Sequence, residues 1–424
     1  PELARKQILN AAARQFVEGD VQHWWLPDTG AGVRTMISDD VVWLAHAVEY
    51  YCRVTGDRAV LDETLAFIEG PALAEGQHDS FYRPDRSGEE APLYEHCARA
   101  LDLGLKRTGE NGLPLMLGGD WNDGMNRVGE AGRGTSVWLG WFLAGTLRGF
   151  IPLARERGDH GRVDAWESHL DRLKEALETA GWDGGYYRRG YYDDGTPLGS
   201  ATSAECRIDS IAQSWSVLSG EGDADRSRQA MDAVMAELVD RENGIIRLFT
   251  PPLSETPQDP GYIKAYPPGV RENGGQYTHA ATWVVLALAR QGRGDDAFAC
   301  LDLLNPVKHA LDVDAAERYR VEPYVVAADV YGEGERTGRG GWTWYTGSAG
   351  WLYRAAVEGI LGIRKEGGRL FVDPALPAAW SGYEATLVLG GQKLAIRVER
   401  GADGGWQSSV NGSVIKSSNE GYLL

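Results

Sequence analysis

Ten consecutive residues, 117–126, read Leu-Gly-Gly-Asp-Trp-Asn-Asp-Gly-Met-Asn. Asp120 and Asp123 lie three positions apart, with the Trp121 indole and the Asn122 amide between them. Gly118, Gly119 and Gly124 supply backbone freedom, and Asn and Asp favour turns, so the stretch reads as a loop. A positioned carboxyl group can protonate a leaving oxygen. An indole face can cover a sugar ring. Acids and an indole on a rigid loop are what a sugar-processing site is built from. Taken alone, the same residues would also make a well-bonded Asx turn around a buried Trp.

Four further loops share this character. The first, His23–Asp40, carries Arg34, Asp39 and Asp40. The second, Gly261–His279, carries Tyr266, Arg271, Glu272 and His279 with no helix or strand rhythm. The third is Glu322-Pro323-Tyr324. The fourth, Gly338–Ser348, ends in Thr346-Gly347-Ser348 at the start of a helical pattern, a natural anion site. His279 and Arg127 are the candidates to bring positive charge to that anion. Each residue also has a plainer reading: Asp39-Asp40 as a helix cap, Arg271-Glu272 as an ion pair, His279 as a structural hydrogen-bonder. No His-x-x-His or His-Glu-x-x-His spacing occurs, so no metal site is expected.

Composition narrows the class. The net charge is −18, and no basic stripe is present, which argues against nucleic acid. No apolar run of membrane-spanning length and no signal peptide are evident. Cys52, Cys97, Cys206 and Cys300 are widely spaced, so a disulfide framework is not expected and a reducing, cytoplasmic setting fits. Glycine, at 55 residues, is about twice its usual share and often adjoins aromatics, as in Gly340-Gly341-Trp342-Thr343-Trp344-Tyr345. Such loops make stacking platforms for sugar rings, although most of the 15 Trp must fill a core.

These loops need a frame. Apolar residues at helical spacing predict a helix from Glu2 to Val17 and another, capped by Ser38, running to about Arg53. Further helices are expected at Leu93–Lys106, Val137–Glu156, Ala165–Ala180, Ser210–Ser219, Arg226–Leu238, Thr282–Gln291 and Ser348–Ile360. Gly-Asp recurs at Gly56-Asp57, Gly158-Asp159, Gly222-Asp223 and Gly294-Asp295. Each pair reads as a helix-ending glycine followed by a capping aspartate. Short turns alternating with long aromatic loops imply six helical hairpins, hence a mainly α (α/α)6 barrel over 1–362. After Ile363 the pattern turns to strands at Leu370–Val372, Ala385–Leu389 and Leu394–Val398, with turns at Gly390-Gly391 and Gly401–Gly405. This predicts a small C-terminal β appendage over 363–424, a partial β-sandwich. The chain is expected to be cut from a longer polypeptide.

Six motifs now stand in order: Gln-His-Trp-Trp-x-Pro, Gly-Val-Arg-Thr-x-x-Ser-Asp-Asp, Leu-Tyr-Glu-His-Cys, Gly-Asp-Trp-Asn-Asp-Gly-Met-Asn, Tyr-Pro-Pro-Gly-x-Arg-Glu-Asn-Gly-Gly-Gln-Tyr-Thr-His and Gly-Gly-Trp-Thr-Trp-Tyr-Thr-Gly-Ser-Ala-Gly-Trp. Together they resemble the phosphorylases of glycoside hydrolase family 94, from Glu18 to about Gly382. Within that family they are most similar to the phosphorylase-like regions of cyclic β-1,2-glucan synthases. Leu26 and Met36 depart from the pattern, which has His and a basic residue there. The resemblance implies roles. Asp123 matches the general acid. Trp121, Arg34 and Asp40 match residues holding the transferred glucosyl unit. Tyr266, Arg271 and Glu272 match the acceptor cluster, and His279, Thr346 and Gly347 the phosphate set. Arg127 is added on charge and proximity in sequence.

The chemistry agrees with that carry-over. An inverting hydrolase needs an acid and a base. Phosphate is already a nucleophile, so phosphorolysis needs only the acid, and a second carboxylate would repel the anion. Asp123 is then expected to be held protonated by burial or a neighbouring anion, with Trp121, Asp120 and phosphate contributing. The expected reaction is reversible, inverting phosphorolysis of a β-glucoside, with β-1,2-glucan and phosphate as substrates and no cofactor. The alternatives are β-1,4-linked cellobiose or cellodextrin as substrate, an inverting hydrolase with Glu272 or Glu322 as base, and a non-catalytic glycan-binding or length-sensing module of a glucan synthase. The reading allows a homodimer and the cytoplasmic part of a membrane-bound synthase.

Overall fold

The computed structural model of the chain describes residues 1–74, 76–402, 404–415 and 421–424. Position 403 of the expected turn and positions 416–420 of the expected appendage lie outside the described residues. Among the described residues there are eleven α-helices: α1 (Glu2–Ala12), α2 (Asp40–Thr55), α3 (Leu93–Lys106), α4 (Val137–Glu156), α5 (His160–Thr179), α6 (Ser210–Leu218), α7 (Ala224–Glu237), α8 (Thr278–Arg290), α9 (Gly294–Leu304), α10 (Val313–Tyr319) and α11 (Thr346–Arg354), the last widening into a π turn over Ala355–Ile360.

Burial sorts them into two layers. In α6 and α8 nearly every residue is buried, and α4 buries Trp138, Trp141, Phe142, Leu147 and Phe150 among others. In α5, α7 and α9 only a stripe is buried, such as Val163, Trp166, Leu173 and Leu177 of α5. Helices that are apolar all round belong inside, and striped ones cover them. The inner helices touch in the order α2, α4, α6, α8, α11. The succession returns to α2 through side chains: the Tyr50 hydroxyl donates to Glu358 at 2.7 Å, and the Arg354 guanidinium lies 4.3 Å from the Tyr50 ring centre. Outer helices α3, α5, α7 and α9 pack on α2, α4, α6 and α8. By length and composition α4 could cross a membrane, but 78% of its apolar window is buried inside the protein, as in a core helix.

The expected six hairpins are not reached: the described residues give four such pairs, plus α1 and α11. The connections from 59 to 92 and from 305 to 345 hold strands, short turns and the short helix α10 instead. Strands are therefore not confined to the C-terminus. Gln22–Trp25, Gly32–Thr35 and Asp79–Tyr82 form one antiparallel sheet, and Thr64–Glu69 pairs with Asp85–Pro92. Gly56 and Gly158 do end helices or precede a cap in left-handed conformation, and Asp159 accepts from Arg162 N–H. At the third repeat the left-handed residue is Gly220, and at the fourth it is Gly292, with Gly294 already helical. Ser38 does not cap α2. Its hydroxyl donates to the Gly119 carbonyl at 3.0 Å, and Asp39 occupies the cap position.

Beyond Leu361, Ile363–Glu366, Arg369–Val372 and Tyr422–Leu423 form one sheet, and Gly382–Leu389, Gln392–Arg400, Trp406–Val410 and Ser413–Ile415 a four-stranded meander. Leu394, Ile396, Val398 and Val410 alternate into the same buried cluster as the helices. Lys365 donates to the Val54 carbonyl at 2.8 Å, fixing the first sheet to the end of α2.

Candidate active site

The inner helices present their N-terminal ends to one group of loops, and the 117–126 loop lies at its centre. Backbone bonds hold it in place: Gly118 N–H donates to Met36 O at 3.0 Å, and Asn122 N–H to Asp120 Oδ1 at 3.1 Å. Asn122 Oδ1 accepts from Gly124 N–H at 3.2 Å, closing the 3-10 turn Asp123–Met125. Gly261 approaches so closely that a Cβ there would collide with Asn126 Oδ1 and the Gly124 carbonyl.

Beneath the loop lies a buried ion network. Arg189, fully buried, donates from both terminal nitrogens to the two Asp120 oxygens at 2.6 Å each. Ser136 donates to Asp120 Oδ2 at 2.6 Å, and Asp209 Oδ2 is 3.2 Å from Arg189 Nε. Ser136 and Asp209 are the N-caps of α4 and α6. One guanidinium thus ties two inner helices to the loop. Asp120 faces inward and is committed to Arg189, so it is not placed to protonate a substrate.

Asp123 faces outward, with 43% of its side chain exposed. This differs from the expected burial. Its neighbour is also not an anion: His23 Nε2 is 3.5 Å from Asp123 Oδ2, and His23 Nδ1 is 3.0 Å from both Asp40 oxygens. Hydrogen bonding to Asp123, then to Asp40, raises the imidazole to about 10 against its burial. Asp40 also accepts from the Thr35 hydroxyl at 3.2 Å. Asp39, one residue earlier, is buried against Trp43 Nε1 at 2.8 Å. Burial first, and Asp40 second, push its carboxyl well above the usual range.

Trp121 packs its ring 5.4 Å from Tyr277, 5.5 Å from His279 and 5.4 Å from Trp283, joining the loop to the start of α8. His279 is also 5.9 Å from Trp351 of α11. Burial alone lowers His279 to about 4, so it stands neutral near pH 7 and offers a hydrogen bond rather than the expected positive charge. Its Nε2 is buried without a protein partner among the described residues. A buried ring nitrogen left open in this way is what a ligand would satisfy. Thr346 and Gly347 open α11 and are exposed, and space around Gly347 is open. The helix starts two residues before the expected Ser348 and has no side-chain cap, leaving its first N–H groups available.

Arg271 and Glu272 form a fork: Nε to Oε2 at 3.1 Å and Nη2 to Oε1 at 3.3 Å, with the guanidinium 5.2 Å from the Tyr266 ring centre. The loop is held by Asn273, whose amide bonds to the Leu253 and Tyr266 carbonyls at 2.9 and 2.8 Å. Arg271 adopts φ +50 and Trp344 φ +63. Such angles in bulky residues cluster at functional loops. Buried Asp329 accepts from Arg271 N–H and Trp342 N–H, both at 3.2 Å, stitching the two loops together. Burial raises the Tyr262 and Tyr266 phenols, and the Asp123 charge adds to both, placing this loop beside the acid.

Two expected residues have other partners. Arg34 is almost wholly buried, and its N–H groups are directed at Asp20 (2.7 Å twice), Glu18 (3.2 Å) and the Gly70 and Pro71 carbonyls (3.3 Å each). It clamps the strand leading to Asp40 and is not free for a sugar in this state. Arg127 pairs with Asp259 at 2.8 Å on the surface, which neutralises the charge expected at the anion site. The structure brings together Asp123, Asp40, Trp121 and His279, and in turn Tyr266, Arg271 and Glu272. Sequence reasoning did not single out His23, Arg189, Asp209 or Asp329 as partners. The His in Gln-His-Trp-Trp was the one visible signal.

The profile of the glycosyl hydrolase 94 superfamily, catalytic domain, matches residues 1–362. The chain is 72% identical, over its full length, to the cyclic beta-(1,2)-glucan synthase NdvB of Rhizobium meliloti, covering 15% of that protein. It is 32% identical over 92% of its length to the N,N'-diacetylchitobiose phosphorylase of Vibrio furnissii, covering 46% of it. It is 23% identical over 94% of its length to the 1,2-beta-oligoglucan phosphorylase of Listeria innocua, covering 38%. The chain therefore spans half or less of these relatives. Among solved structures, the GH78 family rhamnosidase of Bacillus sp. GL1 shares the fold, with TM-score 0.56 and 16% identity over 89% of this chain and 32% of that one.

Proposed function

The chain belongs to the glycosyl hydrolase 94 superfamily, and from that premise we propose that it catalyses inverting phosphorolysis of β-glucosides, with β-1,2-linked glucan as substrate and α-glucose 1-phosphate as product. The frame for this activity is a two-layered helical barrel of the (α/α)6 kind. Asp123 protonates the departing glycosidic oxygen. Trp121 and Asp40 hold the glucosyl unit, with Arg34 bracing the strand before Asp40. Tyr266, Arg271 and Glu272 receive the leaving sugar. His279, Thr346 and Gly347 receive phosphate.

The observation that carries the reading is the presence in one site of an outward carboxyl, Asp123, and a neutral imidazole, His279, whose buried Nε2 has no protein partner among the described residues. The carboxylates a hydrolase would use as base are already engaged: Glu272 by Arg271, Glu322 by Trp344 Nε1 at 3.1 Å. Phosphate needs no base, and hydrogen-bond donors at a helix start favour it. No cofactor enters this scheme, and a reducing, cytoplasmic location suits the four buried free thiols. The β-1,2 preference rests on the printed names of the NdvB and Listeria relatives.

A second reading has its own support, since the 72% identical relative is named a synthase: the chain would recognise glucan for a larger enzyme without turnover. One experiment separates them. The protein is incubated with β-linked glucobioses and β-1,2-glucans, with and without phosphate, and glucose 1-phosphate is measured. Phosphate-dependent glucose 1-phosphate supports the proposal. Free glucose without phosphate leaves the hydrolase, and binding without product leaves the recognition module.

A further inference from the structure

We propose that His23 is a positioning residue for the acid step, holding the Asp123 carboxyl and storing the proton that Asp123 delivers. The inference rests on Asp123 being the general acid of the phosphorolysis above.

The geometry is a chain of three groups on three segments. His23 sits on the strand Gln22–Trp25, Asp40 at the first turn of α2, and Asp123 on the central loop. Nδ1 of His23 lies between both Asp40 oxygens at 3.0 Å, and Nε2 points at Asp123 Oδ2 at 3.5 Å. Asp40 fixes the ring from behind, so that one nitrogen faces the acid.

The surroundings favour a proton here. Asp40 and Asp123 touch the ring; Asp39, beside Asp40, is held toward its neutral form by burial, and Asp120 is paired with Arg189. Of the nearby cations, Arg34 is closed on Asp20, Arg189 on Asp120, and Arg107 follows α3, where its charge interacts with Asp40. Tyr262, from the 261–279 loop, faces Asp123 as a neutral phenol. With a carboxylate on each side, the imidazole holds its proton to about pH 10.

The acid step needs a proton beside Asp123, whose side chain is 43% exposed. The pair does hold a proton, on Nε2. Transfer of that proton to Oδ2 leaves a neutral imidazole, still donating Nδ1–H to Asp40, and a neutral carboxylic acid. Asp123 then gives the proton to the glycosidic oxygen as the C–O bond breaks, and a phosphate oxygen bonds to the anomeric carbon. Hydrogen phosphate loses its own proton when the ester forms as a dianion, and solvent returns one to His23, so the cycle balances. Asp40 serves at both ends, since a sugar hydroxyl bound to it would report occupancy to the ring.

The test uses the whole chain and the variants His23→Gln and His23→Asn, which keep polarity without a titrating ring. With a β-1,2-glucobiose and phosphate, kcat should fall about a hundredfold or more, the range of lost acid assistance, and KM for phosphate should move far less. The alkaline limb of the kcat/KM profile should move to lower pH. With a 4-nitrophenyl β-glucoside, whose leaving group departs without a proton, the loss should shrink to within about tenfold. In the wild type, ring NMR signals of His23 should remain those of imidazolium past pH 8, and Asp123→Asn should lower that titration. The NMR measurement needs no folded His23 variant. Equal losses on both leaving groups, an unmoved alkaline limb, or a wild-type His23 titrating near pH 6.5 would each overturn the inference. A wild type that makes no glucose 1-phosphate would instead refute the phosphorylase reading, whatever His23 does.

Discussion

Replacing Arg189 with Met removes a cation that two buried carboxylates share. Both Asp120 oxygens lose their 2.6 Å bonds, and Asp209 loses the guanidinium 3.2 Å away. Burial already raises Asp209 to about 6 with Arg189 in place. Breaking a buried pair by deleting one partner costs about 3–5 kcal/mol, because the remaining charge is stranded. For 424 residues, an unfolding entropy of about 2.1 cal/mol/K per residue makes each kcal/mol worth roughly 1 °C, so the melting temperature should drop by about 3–5 °C. Activity should fall further than stability suggests. Asp120 also holds Asn122 N–H, and Asn122 closes the turn bearing Asp123, so loosening this anchor displaces the acid. A 1 Å misplacement costs about a hundredfold in rate. The assay is a thermal melt, hydrogen exchange of residues 118–126, and glucose 1-phosphate formation on one preparation. Adding Asp120→Asn to Arg189→Met should recover part of the lost stability but not the rate. If Arg189→Met melts within about 1 °C of wild type and exchange in the loop is unchanged, the claim that this network anchors the acid is wrong.

Asp123→Asn should lower phosphorolysis about a hundredfold or more while glucan binding, followed by calorimetry, stays near wild type; retained turnover would remove Asp123 from the acid role. His279→Ala removes one hydrogen bond to an anion, worth about 1.5–3 kcal/mol, so KM for phosphate should rise about ten- to a hundredfold at saturating glucan. Sulfate should compete at the same site. Glu272→Gln breaks the fork with Arg271 and should raise the acceptor KM in the synthetic direction more than it lowers kcat; the reverse pattern would favour a hydrolytic base. Stability should respond to pH at both ends. His46 and His279 are held neutral, lowered to about 3 and about 4, so the unfolded chain binds more protons and stability is lost as pH falls from about 6.5 through those values. His23, raised to about 10, contributes fully below about pH 6.5 and its share fades as pH climbs to 10. Urea melts of wild type and His23→Gln between pH 5 and 10 would test this, and parallel curves would contradict it.

What could be read in advance depended on the range of each interaction. The boundaries of α3 and α4 follow from apolar spacing and coincide with the structure, α3 because it buries one face and α4 because it is apolar along most of its length. The start of α8 was missed by four residues: Thr278 and His279 look like loop, yet the Gln276–Tyr277 strand pairs with Asp329–Val330 and feeds straight into the helix. The candidate loops were legible from residue type alone. Their partners were not. Arg189 lies in a Tyr-Tyr-Arg-Arg-Gly-Tyr-Tyr run that signals nothing, and its carboxylate is 69 positions away. Arg34 was expected to face a sugar because nothing local revealed its closure on Asp20. The charge of His279 could not be read either, since its burial comes from Trp121, Trp283 and Trp351 on three separate segments.

The same segments explain why an anionic nucleophile suits this frame. The inner helices run with their N-terminal ends at the central loop: Asp40 opens α2, Ser136 caps α4, Asp209 caps α6, Thr278 and His279 open α8, and Thr346 opens α11. Each N-terminus carries a partial positive charge from unpaired N–H groups. At α4 and α6 that potential is consumed, by the Ser136 and Asp209 caps and the Asp120–Arg189 pair. At α2 it is met by Asp39 and Asp40. At α8 and α11 no side chain caps the helix, and a neutral His279 stands between them. The unspent potential therefore lies on the α8 and α11 side of the site, where His279 and Trp283 pack against Trp121 of the acid loop. A mobile hydroxide or water would gain little from it, whereas a phosphate dianion would gain at every exposed N–H. If that asymmetry selects the nucleophile, substituting Gly347→Pro, which deletes one of those donors at a position with open space around it, should weaken phosphate and leave glucan binding intact. An equal loss of both would place phosphate elsewhere.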